Sequence, residues 1–419
     1  MNVVRRRSVA ALAATTVVLG AAVPAFAASP SPSIPDGLYG TSDPKYDGVW
    51  RQSLALLAQD TVGVKPAAKA VDWLAGQQCA NGAFAPFRAD TAKACDAKLM
   101  VDTNSTGAAV QALAALGGHD SVTGKAVSWL KSVQNKDGGW GYAPGGASDA
   151  NSTSVVIGAL TAVGAKPDQV VKGGRSPYDA LLKLALPCGG DGSGAFAFQP
   201  DKKGKLSANA DASAAAVVGA LGRGLTGDSP KPTGTAPTCK QATGPEQAAQ
   251  NGAAYLVEAL AKDKHLTSTL PGAKPRPDYG NTADAVLALA TAGHGDKAAD
   301  AMRWLETNSG AWAKQAGPAA YAELILAAHA ETADYNDFGG QDLVKLLNAT
   351  GPKPAALPTA GAYPGKASES AGNHAAKKDS EKSSEKDSGL GAWWIAGVGL
   401  VAGIGAGFLI SGRKKKAQP

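Results

Sequence analysis

Two kinds of apolar segment take turns along this chain, told apart by where their polar residues fall. The first kind reads KAVDWLAGQ at 69–77 and KAVSWLKSV at 125–133, with Trp73 and Trp129 separated by 56 positions. Polar and apolar residues there occupy opposite helical faces, so the pattern predicts outer helices wet on one side. Stretches 252–260 and 300–305 look like later relatives. The second kind opens on a polar cluster and runs into Ala, Val and Leu: DTNST at 102–106, DANST at 149–153 and DYGNT at 278–282. A looser copy, NADAS at 209–213, carries a register that reads as slipped by one residue. Helices this apolar on every side are buried on every side. They should form an inner layer, with Asp, Asn, Ser and Thr as N-caps and glycine closing each helix. Residues 46–59 read as an amphipathic first helix, and 318–330 as a final inner helix opened by Pro318.

Between the two kinds lies a recurring joint. Residues 134–142 read QNKDGGWGY, giving Gln134, Gly138, Trp140 and Tyr142. Gln78, Gly82 and Phe84 repeat the spacing, Gly194 and Phe196 keep its second half, and Glu306, Gly310 and Trp312 restore it with an acid for the amide. The glycines are 56, 56 and 116 residues apart, so one degenerate copy should lie between Gly194 and Gly310. A period near 56 suits a helical hairpin with its loops.

Composition changes the picture mainly at the two ends. Three arginines, an apolar run and Ala25-Phe26-Ala27 give 1–27 the layout of a secretory signal, with Sec and twin-arginine export both open. Residues 28–42 read as a flexible segment and 43–351 as the folded domain. Residues 352–389 read as a disordered linker, because the tract KKDSEKSSEKDSG has too little apolar surface to fold. The stretch 390–410 has no charge over 21 residues and is expected to be a transmembrane helix. The basic tail 411–419 would then be cytoplasmic and the domain extracytoplasmic. The net charge of +6 loses three positive charges with the signal and four with the tail, leaving −1 on the remainder. That excludes a nucleic-acid footprint.

Four cysteines in an oxidising compartment favour disulfides. Of three possible connectivities, Cys79 with Cys95 and Cys188 with Cys239 is favoured, since each pair staples one loop-rich connection. Scattered histidines and the lack of close Cys or His pairs argue against a metal site.

The Gln134, Gly138, Trp140 joint, set between alternating outer and inner helices, resembles the α/α-toroid superfamily. Its members include terpenoid and squalene cyclases, protein prenyltransferases and cobalamin carriers such as transcobalamin. The resemblance implies an all-α fold, an α/α toroid of about six outer and inner helix pairs, followed here by the single transmembrane helix. It also implies a structural role for the joint. Class II terpene cyclases carry Asp-x-Asp-Asp-Thr-Ala, whose central Asp protonates an alkene. The nearest match is Asp102-Thr103-Asn104-Ser105-Thr106-Gly107, and an amide has no acidic proton to give. The prenyltransferase zinc set is missing. Gly244-Pro245-Glu246-Gln247 has proline where a thioester domain needs sulfur.

The leading expectation is therefore a non-catalytic, membrane-anchored binding protein. Its cargo would be a small molecule, a corrinoid by family analogy, and its partner a membrane transporter or a cell-wall component; no cofactor is expected. Several helix N-termini should converge at the site. They would present Asp102, Asn104, Thr106, Asp149, Asn151, Thr153, Asp278 and Asn281, with Trp140 and Tyr142 alongside. The alternatives are a terpene cyclase or prenyltransferase-like enzyme using another acid, and a cell-surface scaffold that binds protein or wall polymer and has a plugged centre.

Overall fold

The computed structural model describes residues 34–268 and 274–358, which belong to one unit beginning at Ile34. The expected signal 1–27, most of the linker, the span 390–410 and the tail lie outside the described residues. Among the described residues no helix is long and apolar enough to cross a membrane.

The polar clusters start helices where the pattern placed them. Asp102, Asp149 and Asp278 accept from the backbone N–H of Ser105, Ser152 and Asn281 at 2.6, 2.6 and 3.2 Å. Asn209 does the same for Ala212 at 2.8 Å. These bonds satisfy donors that the first helical turn otherwise leaves open. Asn209 and Ser213 stand in the same relation as Asp102 and Thr106, so the expected slip of register is absent.

Six inner helices follow: α1 (Gly48–Thr61), α3 (Thr103–Leu116), α5 (Ala150–Ala162), α7 (Ala210–Ala220), α9 (Tyr279–Thr291) and α12 (Pro318–Ala330). Each packs against the next and α12 packs back on α1, so the ring closes. Outside them lie α2 (Ala68–Gly76), α4 (Asp120–Ser132), α6 (Pro177–Leu184), α8 (Pro245–Ala261), α10 (Gly295–Asn308) and α13 (Leu343–Asn348), each against its inner partner. The architecture is an α/α toroid of six helix pairs. A short helix, α11 (Gly310–Ala316), and a ribbon of β1 (Leu266–Ser268) with antiparallel β2 (Arg276–Asp278) complete the elements used below.

Small side chains let the inner helices approach closely. A Cβ on Gly219 of α7 would come within 2.5 Å of the Ser154 hydroxyl on α5. Contrary to the amphipathic reading, α1 is an inner helix buried almost all round. Most of its polar groups are satisfied internally: Gln52 donates to the Gly37 and Ala70 carbonyls and accepts from Tyr39 N–H, and buried Arg51 pairs with Asp47 at 3.1 Å, although the Trp50 indole N–H and Arg51 Nε are buried without a partner.

The recurring joint is a strut. Gln78 donates to the Gly82 and Val122 carbonyls and Gln134 to those of Gly138 and Val170, so each ties its own turn to the neighbouring hairpin. Gly138 has φ +93°, and a Cβ there would sit 2.1 Å from the Ser176 carbonyl. Only glycine fits that approach. Phe84, Trp140 and Phe196 are fully buried. Their N–H groups donate to the hydroxyls of Thr106, Thr153 and Ser213 at 3.0, 3.1 and 2.8 Å. The expected degenerate copy is Leu266, whose N–H donates to the Thr282 hydroxyl at 3.0 Å. The aromatic has been replaced by leucine and the turn by the β1–β2 ribbon. Glu306, Gly310 and Trp312 do not form a fifth strut. Gly310 starts α11 without the left-handed backbone of the other joints, and Trp312 stacks on Tyr279 at 5.5 Å.

Two disulfides join Cys79 to Cys95 and Cys188 to Cys239.

Candidate active site

A cavity of about 320 Å³ lies inside the ring, entered beside the N-termini of the inner helices and lined mostly by apolar atoms. That size is at the lower end of small-ligand sites, about 300–1,000 Å³. A scaffold with a plugged centre is not what the ring contains.

The wall has a helical period. On successive inner helices the second residue faces inward as Asn104, Asn151, Asp211, Gly280 and Ala319. One turn deeper, the sixth residue lines it as Val155, Ala215, Asp284 and Glu323. A further turn down come Val218, Leu287 and Leu326. The upper part of the site is therefore polar, the middle acidic on one side, and the bottom apolar.

Of the residues singled out from sequence, Asp102, Asn104, Asn151, Asp278, Asn281 and Tyr142 line this cavity. Asp149, Thr106, Thr153 and Trp140 do not. Asp149 is taken up in capping by Ser152 N–H and its hydroxyl. Thr106 and Thr153 hold the struts, and Trp140 is a core residue whose indole N–H donates to the Leu130 carbonyl at 2.7 Å. The strut residues Gln78, Gly82, Gln134, Gly138, Gly194 and Phe196 likewise stay out of the cavity wall, whereas Trp312 reaches it.

Sequence reasoning missed three acids: Asp211, Asp284 and Glu323. The signal was present, because ADAVLALATAG and AYAELILAAHA each carry one acid in an otherwise apolar inner helix. An ionisable group in such a helix is costly unless it serves a purpose. No contiguous motif contains them, because these acids come from different helices.

Their electrostatics separate them from the caps. Burial pushes Asp102 and Asp149 up to about 6, opposed by the hydrogen bonds each accepts at its helix start. Burial pushes Asp211 to about 6 as well, opposed by the Asn151 side-chain amide, which donates to it at 2.9 Å. Asp284 has no such help: burial first, then the charges of Asp211 and Asp278, raise it to about 8. Glu323 is raised well above the carboxylate range, by burial and then by Asp284, Asp278 and Asp211. Its Oε2 is buried without a hydrogen-bond partner. Asp284 and Glu323 therefore hold their protons at neutral pH, while Asp211, at about 6, has lost its own.

Aromatic faces stand beside these acids. Tyr279 stacks between Trp304 and Trp312 at 5.1 and 5.5 Å, and Trp50, Tyr142, Tyr279 and Trp312 line the cavity. Tyr142 is held protonated by burial and by the charge of Asp102. Faces of this kind attract a positive charge within about 6 Å. Among the described residues no group of three or more His, Cys, Asp or Glu side chains is arranged to hold a metal ion.

At this point the relatives can be compared. The chain is 38% identical over 80 residues to a drimenyl diphosphate synthase of Streptantibioticus cattleyicolor. That relative is an enzyme. The matched stretch is 19% of this chain and 13% of the synthase. An ent-copalyl diphosphate synthase from Streptomyces platensis is 16% identical, with a TM-score of 0.45 over 68% of this chain and 50% of that one. A protein from Actinoplanes is also 16% identical, with a TM-score of 0.44 over 71% and 80% of the two chains. Scores this low add nothing to the toroid that the closed ring already displays. No protein-family model matches the chain.

The expected non-catalytic carrier of a corrinoid is corrected by the sequence relative, a drimenyl diphosphate synthase. The expectation rested on absent catalytic motifs, the Asp-x-Asp-Asp acid first among them, together with an external, tethered location, and the cavity holds acids outside that motif. An enzymatic role is thereby open to this chain, against the leaning drawn from the motif alone.

Proposed function

We propose that the protein is a proton-initiated terpene cyclase acting on a prenyl diphosphate, with Asp284 as the acid. The observation that carries this reading is the pair Asp284 and Glu323. They occupy the same level of adjacent inner helices, face a mainly apolar cavity and have no backbone N–H to stabilise their charge. A useful general acid has a pKa near the working pH, and Asp284 at about 8 meets that condition. Glu323, raised further by the charge of Asp284, keeps its own proton; what holds Asp284 from ionising is its burial and the charges of Asp211 and Asp278.

The Asp284 O–H donates its proton to one carbon of the substrate's terminal alkene. The π pair forms the new C–H bond, the electron pair of the broken O–H bond stays on the carboxylate, and a tertiary carbocation remains. The next alkene attacks that cation and closes a ring. The last cation loses a neighbouring C–H proton to the Asp211 carboxylate, a role supported by its ionised state at neutral pH and its position in the cavity wall. The faces of Trp312 and Tyr279 stabilise the intermediate charge. The diphosphate is not broken in this sequence, and Arg276 at the cavity rim offers it a cation. The relative's diphosphate product agrees with retention of that group.

The test is incubation of the full-length chain with geranyl, farnesyl and geranylgeranyl diphosphates in deuterated buffer. A cyclic diphosphate carrying one deuterium, lost in Asp284→Asn and retained in Asp102→Asn, supports the reading. Absence of cyclisation with all three substrates, or turnover untouched by Asp284→Asn, overturns it.

A further inference from the structure

The bottom of the cavity is not made by the ring. After α7 the chain turns inward at 222–229 and crosses the space beneath the inner helices, touching four of them in passing. The Leu225 N–H donates to the Gln111 side-chain carbonyl of α3 at 2.7 Å, and that amide also donates to the Val155 carbonyl of α5 at 3.0 Å. Gly224 packs on Gly158 of α5 so closely that a Cβ on Gly158 would lie 2.7 Å from the Gly224 Cα. The Asp228 N–H donates to the Thr291 hydroxyl of α9 at 3.0 Å, and the Ser229 hydroxyl donates to the Ala330 carbonyl of α12 at 2.7 Å. The crossing segment is therefore fastened on several sides, and Arg223, Gly224 and Leu225 line the cavity, with the Arg223 guanidinium paired to Asp228 at 2.9 Å.

We infer that this segment is the floor that sets how long a prenyl chain the cavity accepts, with Leu225 as the deciding side chain. The inference rests on the cyclase reading for its choice of ligand. From the second residue of an inner helix to the ninth, the wall spans about 10 Å at 1.5 Å per residue. The segment closes it below the apolar level of Val218, Leu287 and Leu326. A chain inserted tail first from the mouth ends against Leu225. Any chain too long to coil above it must leave carbons outside, and each uncovered methylene weakens binding severalfold.

The experiment measures direct binding of geraniol, farnesol and geranylgeraniol, which lack the diphosphate, to the full-length protein and to Leu225→Ala, Leu225→Trp and Leu225→Met. Farnesol or geraniol should bind more tightly than geranylgeraniol to the unaltered chain. Leu225→Ala should shift the ratio roughly tenfold toward the longer alcohol, and Leu225→Trp should shift it toward the shortest. Leu225→Met, of similar volume, should leave it within about a factor of two. An unchanged order of preference in Leu225→Ala and Leu225→Trp, with thermal melts showing both folded, overturns the floor whether or not the protein cyclises anything. A shifted order in a protein that never incorporates deuterium keeps the floor and removes the cyclase. Failure to bind any of the alcohols removes the floor as well.

Discussion

Two tiers of acids stand around the inner ring, both present on α9 as Asp278 and Asp284, and they do different work. The upper tier is Asp102, Asp149 and Asp278, each accepting from a backbone N–H at the start of its helix. The lower tier, Asp284 and Glu323, lies past the reach of those donors and accepts nothing comparable. Helix starts stabilise negative charge and helix interiors do not. One residue type is thus an anchor in one tier and a proton reservoir in the next. The difference is a matter of which backbone groups are still free, not of how acidic the side chain is.

The largest effect that would sharpen this contrast is on turnover. Asp284→Asn is expected to lower cyclisation by about 10²–10⁴-fold, the usual contribution of a positioned acid, while Asp102→Asn leaves the rate nearly unchanged. Equal losses in the two variants would erase the distinction between the tiers.

A second effect is on stability against pH. The Asp284 pKa is raised on folding, so the folded chain holds its proton where the unfolded chain has lost it. Its contribution is fully present below about pH 4, declines as pH rises, and is gone above about pH 8. The slope is at most about 1.4 kcal/mol per pH unit. Thermal unfolding between about pH 5 and pH 8 should show a falling melting temperature, and Asp284→Asn should flatten it. A melting temperature that rises across this range in the unaltered chain but not in the variant would reverse the assigned sign.

The third effect is smaller and concerns the anchors. Asp149→Ala removes a cap and should cost about 1 kcal/mol of stability in chemical unfolding. Asp284→Leu removes an unpaired buried acid and should be neutral or stabilising at about pH 9. The smallest difference expected is between Thr106→Val and Thr153→Val, each leaving one strut N–H unpaired at a cost of about 1–3 kcal/mol. Cyclisation by whatever fraction remains folded should be unaffected in both.

The two tiers also differ in how far the sequence revealed them. The caps and struts were legible because they repeat: Gln134 and Gly138 recur at a constant interval, and backbone geometry forces the same residues into each copy. Leu266 could be located only as a gap in that interval, since any buried apolar side chain can fill the place of Phe84. The Gly310 copy misled because spacing alone does not show whether a glycine is in a left-handed turn or at the start of a helix. Asp284 and Glu323 do not repeat, and what joins them is the curvature of the ring. The chain shows each as an isolated acid in an apolar helix, but only closure of the toroid brings them together.

Closure has a cost in folding that the repeats themselves do not share. Most contacts in the ring join consecutive hairpins, which can assemble locally in either direction along the chain. The seam between α12 and α1 is different. Tyr39 donates its hydroxyl hydrogen to Gln59 of α1, Gln59 donates to Asn348 of α13, and the Gly40 N–H reaches the Thr350 carbonyl, the last two pairings each spanning about three hundred residues. Contacts so far apart in sequence form late, because the loop they close is long. Leu54 of α1 and Leu326 of α12 both belong to the cavity wall, so the cavity is complete only when that seam has formed.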